Sequence, residues 1–183
     1  MNAQLQSLID EFHQATDRLQ RLLERVPSER LGERADPLRW SVGECIAHLN
    51  LTSHGFAPRV ESALEEARGL GGPPPRRYRR DWKGWLLWKS MQPPVRLRVK
   101  TAPAFVPQGS RPAEEVLGEF RRLQGVQVGW VEAANGLPID RVRVTSPFDA
   151  RVRYNLFSAL SILPRHQHRH LWQAETATLA LGG

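Results

Sequence analysis

The sequence predicts an all-α fold: a four-helix bundle with a crossover connection and a long insertion between its second and third helices. Three observations predict it. Four stretches carry apolar residues at helical spacing, two long linkers separate them, and only one short segment alternates as a strand does. At 183 residues the chain suits one domain, taken as 1–183, and is long enough to bury a core.

The first helix is expected over Gln4 to Val26. Leu5, Leu8, Ile9, Phe12, Ala15, Leu19, Leu22, Leu23 and Val26 form one stripe, and Pro27 and Ser28 end it. Ser28 to Arg39 is a polar connection. A second helix is expected from Val42 to about Arg68. Ser41 and Glu44 have the spacing of a capping box, and Val42, Cys45, Ile46, Leu49 and Phe56 supply an apolar side. Pro58 predicts a kink or brief break near His54 to Ala57.

Residues 69–111 are the insertion. Gly69 to Arg80 breaks the helix, and Pro93, Pro94, Pro103 and Pro107 predict irregular or extended chain. Between them, Trp85 and Trp88 with Leu86 and Leu87 fit one or two helical turns covering a core edge. The third long helix is expected over Arg111 to Asn135, with Ser110 as cap, Pro112 in the first turn, and Gly136-Leu137-Pro138 as the stop. Ile139 to Phe148 contains an alternating segment, Arg141 to Thr145, that predicts a short strand, and Asp149 to Asn155 leads into the last helix, Leu156 to Leu181. Pro164 lies inside that helix and predicts a kink or a restart.

Composition narrows the function classes. No apolar run approaches the roughly 18–20 residues that span a bilayer. No signal-peptide pattern is evident at the N-terminus, and Cys45 is the only cysteine. A cytoplasmic protein, not bound to a membrane, is the expectation. The net charge of +7 would attract nucleic acid or anionic substrates. Arg76, Arg77, Arg79 and Arg80, interleaved with Tyr78, Trp82, Trp85 and Trp88, could form a nucleic-acid surface. The core-covering reading of the tryptophans is preferred, so nucleic acid is the weaker partner class.

The histidines carry the chemistry. Three of six fall in Pro164-Arg165-His166-Gln167-His168-Arg169-His170-Leu171-Trp172-Gln173. On a helix, His166 and His170 share a face and His168 points away. Such a pair can hold a metal ion but cannot complete a site. His48, on the apolar side of the second helix, is either a core histidine or a ligand pointing into the bundle. Three imidazoles would leave a coordination position open, as catalytic sites do. Cys45 could add a soft thiolate ligand or be a small buried hydrophobe. Gln173 and Arg169 could orient a ligand or bind an anionic group, or be plain interhelix contacts. Glu44 is read as a capping residue, His13 as a surface or boundary residue, and His54 and His168 as surface residues.

Trp40-Ser41-Val42-Gly43-Glu44-Cys45-Ile46-Ala47-His48-Leu49 resembles the start of helix two in the DinB-like (YfiT-like) superfamily. His166-Gln167-His168-Arg169-His170-Leu171-Trp172-Gln173 resembles that family's final-helix pattern, His-x-x-Arg-His-Leu-x-Gln. The resemblance spans nearly the whole chain. It implies a four-helix bundle, often dimeric, in which three histidines hold a divalent metal, usually zinc or nickel. The matching positions are His48, His166 and His170. It also implies a metal-dependent enzyme of the thiol-dependent S-transferase type, with a low-molecular-weight thiol such as bacillithiol or mycothiol as co-substrate. A hydrolase would use water at the same centre. The alternative is a non-catalytic metal-binding stress or damage-response protein.

Overall fold

In the computed structural model, residues 1–92, 101–109 and 111–181 are described. Pro93, Pro94 and Ser110, to which the sequence assigns extended chain and a helix cap, lie outside the described residues.

Five α-helices and a two-stranded ribbon make up the described structure: α1 (Ala3–Leu23), α2 (Val42–Leu70), α3 (Trp82–Ser90), α4 (Ala113–Ala133), β1 (Arg143–Thr145), β2 (Arg153–Asn155) and α5 (Leu156–Ala180). Short 3₁₀ turns occupy Ser28–Arg30 and Pro103–Phe105. The long helices α1, α2, α4 and α5 form the bundle. Both α1 and α2 pack against α4 and α5, so α1 and α2 stand at opposite corners, and so do α4 and α5. Helices consecutive in the chain but diagonal in space require connections that cross the bundle, as the sequence predicts. The short helix α3 packs outside, against α5.

Helices α1, α2 and α5 begin where a side chain closes the first turn. Asn2 accepts from the Gln4 N–H at 2.9 Å, and Asn155 accepts from the Ser158 N–H at 2.8 Å. The capping box of α2 is complete: the Ser41 hydroxyl accepts from the Glu44 N–H at 3.1 Å, and the Glu44 carboxylate accepts from the Ser41 N–H at 2.9 Å. At the other end Gly71 takes φ +58°, a left-handed conformation that suits glycine, and α2 stops.

Four expectations change. Neither internal proline interrupts its helix. Pro58 is exposed, so the carbonyl it leaves unpaired can face water, and α2 runs on to Leu70. Pro164 is buried, yet α5 is continuous, because packing on α1, α2 and α3 outweighs one missing backbone bond. The lead-in to α5 contains a strand: β2 pairs antiparallel with β1, Val144 opposite Tyr154. Of the tryptophan segment, only Leu87 and Trp88 pack on the core, while Trp82, Trp85 and Leu86 are exposed. Finally, α4 starts at Ala113, with Pro112 in the capping position rather than inside the first turn.

The core has two parts. One contains Leu5, Phe12, Phe56, Val60, Phe157 and Leu160; the other contains Leu19, Val42, Ile46, Leu49, Phe120 and Leu171. A polar layer crosses the bundle centre. Gln167 of α5 donates to the Gln124 amide oxygen of α4 at 2.6 Å, and Gln124 donates to the Phe12 carbonyl of α1 at 3.1 Å. This ties the diagonal pair α4 and α5 next to His166.

Candidate metal centre

The capping box fixes where α2 begins, and that start sets the direction in which His48 points, two turns on. His166 and His170 are one turn apart on α5, and the helix carries both across its facing side. Packing of α2 against α5 brings the three rings together. His48 Nε2 lies 3.3 Å from His166 Nε2, and His170 Nε2 lies 3.0 Å from His166 Nε2. One ligand atom from each lies within 4.8 Å of the others, and all three residues are buried. A tetrahedral ion with bonds of about 2.0–2.1 Å places its imidazole nitrogens about 3.3 Å apart. The residues present therefore fit a zinc-sized cation, and this group could hold one.

Proton counting supports the same fit. His48 Nδ1 lies 2.7 Å from the Phe105 carbonyl oxygen, which accepts and cannot donate. A neutral His48 therefore carries its proton on Nδ1 and a bare lone pair on Nε2. A single proton on His166 Nε2 can bridge one of its two close nitrogen contacts but not both. Among the described residues the buried Nδ1 atoms of His166 and His170 have no hydrogen-bond partner. A cation satisfies all three Nε2 lone pairs at once.

The electrostatics keep the rings neutral, as metal ligands must be. Burial pushes His48 below its ordinary value, against the pull of the Phe105 carbonyl. Burial lowers His166 and His170 much further, and the neighbouring imidazoles and Arg169 add to this. Arg169 is half-buried, burial lowers its own pKa, and among the described residues its side chain makes no ion pair or hydrogen bond. Gln173 is exposed and favours the protonated form of His170.

Aromatic rings wall the cluster. The Trp40 ring centre lies 4.9 Å from that of His48 and 5.9 Å from that of His170. Phe148 lies 5.8 Å from His166 and 4.5 Å from Phe105. A hollow of about 270 Å³ adjoins Trp40, with Arg39, Asp36 and Ala177 on its rim.

The other residues singled out in the sequence fall elsewhere. Cys45 is not part of the group. It is fully buried in the second core cluster, and burial pushes its thiol up to about 12. Exposed His54 meets Glu119 at 2.7 Å, and His13 is exposed. His168 is not a plain surface residue: half-buried, its Nε2 donates to the Glu11 carbonyl at 3.1 Å and links α5 to α1. Sequence reasoning missed Trp40, Phe105 and Phe148 as parts of the site. Trp40 could have been suspected from its place just before the capping box. Phe105 and Phe148 lie in segments without periodicity, and nothing local marks them.

The chain matches the family model of the DinB superfamily over residues 11–174. No curated protein and no solved structure matches it.

Proposed function

Taking as premise that this chain belongs to the DinB superfamily, we propose that His48, His166 and His170 hold a divalent metal in a metal-dependent enzyme of the thiol S-transferase or hydrolase type. The observation that carries the reading is the convergence of three neutral Nε2 atoms at 3.0–3.3 Å with no proton arrangement that satisfies them all. Imidazole ligands suit zinc and nickel, the two metals the family resemblance suggests.

A divalent cation at this position would lower the pKa of a bound water or thiol and supply a nucleophile at neutral pH. The chain's own residues do the rest. The Phe105 carbonyl orients His48 and fixes its tautomer. Trp40, Phe105 and Phe148 exclude bulk water, which strengthens charge interactions inside. Arg169, a half-buried cation beside the rings with no ion pair among the described residues, suits an anionic group on the substrate or thiol. Gln173 sits at the exposed edge of His170 and is the residue placed to orient an incoming group.

The test has two stages. Elemental analysis of purified protein should find about one zinc or nickel per chain. The loaded protein should then consume a low-molecular-weight thiol in the presence of an electrophile, and the rate should fall when Arg169 is replaced by Gln. Absence of metal after loading would defeat the reading. One observation favours a second reading, a non-catalytic metal-binding protein: all three histidines are no more than 6% exposed. Metal held with no exchangeable water, seen by spectroscopy of a cobalt-substituted form, would decide for it.

A further inference from the structure

Four buried polar atoms without hydrogen-bond partners among the described residues gather at one place: Glu11 Oε2, Arg80 Nε, Trp88 Nε1 and Arg165 Nε. They come from α1, the approach to α3, α3 itself and α5. Arg165 precedes His166 in the chain but faces α1 and α3, whereas His166 faces α2. The Arg80 guanidinium stands 4.3 Å from the Trp88 ring centre and 5.1 Å from that of Phe157. The Arg165 guanidinium stands 4.6 Å from the same Trp88 ring. The indole face attracts both cations and offsets part of their mutual repulsion.

Among the described residues their charge is not balanced. Glu11 is the carboxylate beside them, and Arg165 Nε approaches its Oε2 only to 3.5 Å, too long for a good hydrogen bond. Among the described residues the Arg80 side chain makes no ion pair or hydrogen bond. Two guanidiniums thus share one loosely held carboxylate. Burial raises Glu11 and lowers Arg80, the directions expected of charges taken from water without a full set of partners. A hollow of about 290 Å³ adjoins the cluster, bounded by Glu11, Arg80, Leu8 and Phe157 among others.

We propose that this hollow is a second small-molecule site, separate from the histidine cluster, that takes an oxyanion group carried on a small apolar body. The Arg80 guanidinium, on the wall of the hollow, holds the carboxylate or phosphate, Leu8 and Phe157 pack against the body, and Arg165, over the same Trp88 ring as Arg80, adds positive charge from outside the lining. Guanidinium forks match both oxyanions, and surplus positive charge selects against neutral and cationic ligands. The hollow is at the small end of ligand pockets, which limits the body to about one ring.

Isothermal titration at fixed low salt tests it, with the full chain and three probes: benzoate, phenyl phosphate and neutral benzamide. Saturable binding of benzoate or phenyl phosphate is expected, the tighter of the two identifying the oxyanion, with none for benzamide. Chelator treatment should leave the binding intact, because the histidines take no part. Arg80→Gln should weaken it about tenfold or more and Arg165→Gln by a smaller factor, while exposed Arg77→Gln leaves it unchanged. Arg80→Lys keeps the charge and loses the fork, and gives an intermediate affinity should Arg80→Gln fail to fold. The site is overturned by equal binding of benzamide, by loss of binding on chelation, by wild-type affinity in the Arg80 and Arg165 variants, or by no saturation up to about 10 mM.

Discussion

His48 Nδ1 donates to the carbonyl oxygen of Phe105 at 2.7 Å, across 57 residues of chain. The acceptor belongs to the insertion between α2 and α4, and its ring packs on Phe148 and against Gly55 of α2. The insertion is therefore part of the site: it decides which His48 nitrogen carries the proton.

That contact can be disturbed without touching a histidine. A Cβ at position 55 would stand 2.7 Å from the Phe105 ring and 3.2 Å from Pro147 Cβ. Alanine would gain about 1 kcal/mol of helix propensity, but the displaced ring would shift the carbonyl. Gly55→Ala should weaken metal binding about tenfold in a competition titration with a chromophoric chelator. An unchanged Kd would show that Phe105 does not hold His48 in place.

Replacing His48, His166 or His170 by Ala should each take metal content from about one per chain to none. In the wild type, free zinc at about 100 times its Kd should add about 2.7 kcal/mol to stability, read as a rise in Tm. The three variants should lose that rise. Full metal in any one of them would remove that residue from the ligand set.

Glu44 predicts an acid limb. Burial raises its pKa, but Arg34 and the N–H and hydroxyl of Ser41 outweigh this and hold it below 4.5. A carboxylate with a depressed folded-state pKa contributes stability above the unfolded value, and the contribution is lost as pH falls through the folded value. Glu44→Gln should cost about 1 kcal/mol at pH 7, and the cost should shrink below about pH 4.5. Urea titrations across that range check it; a cost that does not change with pH would refute the assignment.

Two glycine substitutions should have opposite signs. A Cβ at Gly84 would meet Ser158 side-chain atoms at 2.2 Å and Asp81 Oδ1 at 2.8 Å, where α3 packs on α5. Gly84→Ala should destabilise by about 1–3 kcal/mol. A Cβ at Gly125, in the middle of α4, meets nothing within 4 Å. Gly125→Ala should stabilise by up to about 1 kcal/mol. Denaturant midpoints of the two variants give the comparison directly.

Cys45 should be inert. Its thiol is fully buried and burial pushes its pKa up to about 12, so little thiolate is expected at pH 8. Reaction with a thiol reagent should be slow in native protein and equally slow with and without metal. Protection that appears only on metal loading would mean that Cys45 is a ligand after all.

The long helices are legible because each writes its buried face into a 3.6-residue pattern, and α2 also writes its start into a capping residue. Ser41 and Glu44 marked the start of α2, and His166 and His170 announced a shared face by their spacing alone. The prolines do not break their helices, because the cost of a missing backbone bond is local whereas the packing that tolerates it on α5 is not. The strand β2 went unread because three residues carry too little periodicity, and its pairing with β1 is a relation between segments. The sequence suggests a surface position for His168 because one helix alone does not reveal that α1 lies opposite.

By itself, then, the sequence determined the helical class, the capped start of α2, the histidine pair on α5 and His48 as its candidate partner. Each is a matter of residue type and short-range spacing, which backbone geometry converts directly into a face. Only the tertiary structure decided that the three Nε2 atoms converge, that Phe105 sets the tautomer of His48, and that Trp40 and Phe148 wall the cluster. Those are distances between residues far apart in the chain, and they follow from how α2, α5 and the insertion pack. The same holds for Arg80, Trp88 and Arg165: as a sequence they are a basic aromatic stretch and one distant arginine, and packing of α3 on α5 makes them a cluster with a hollow beside it.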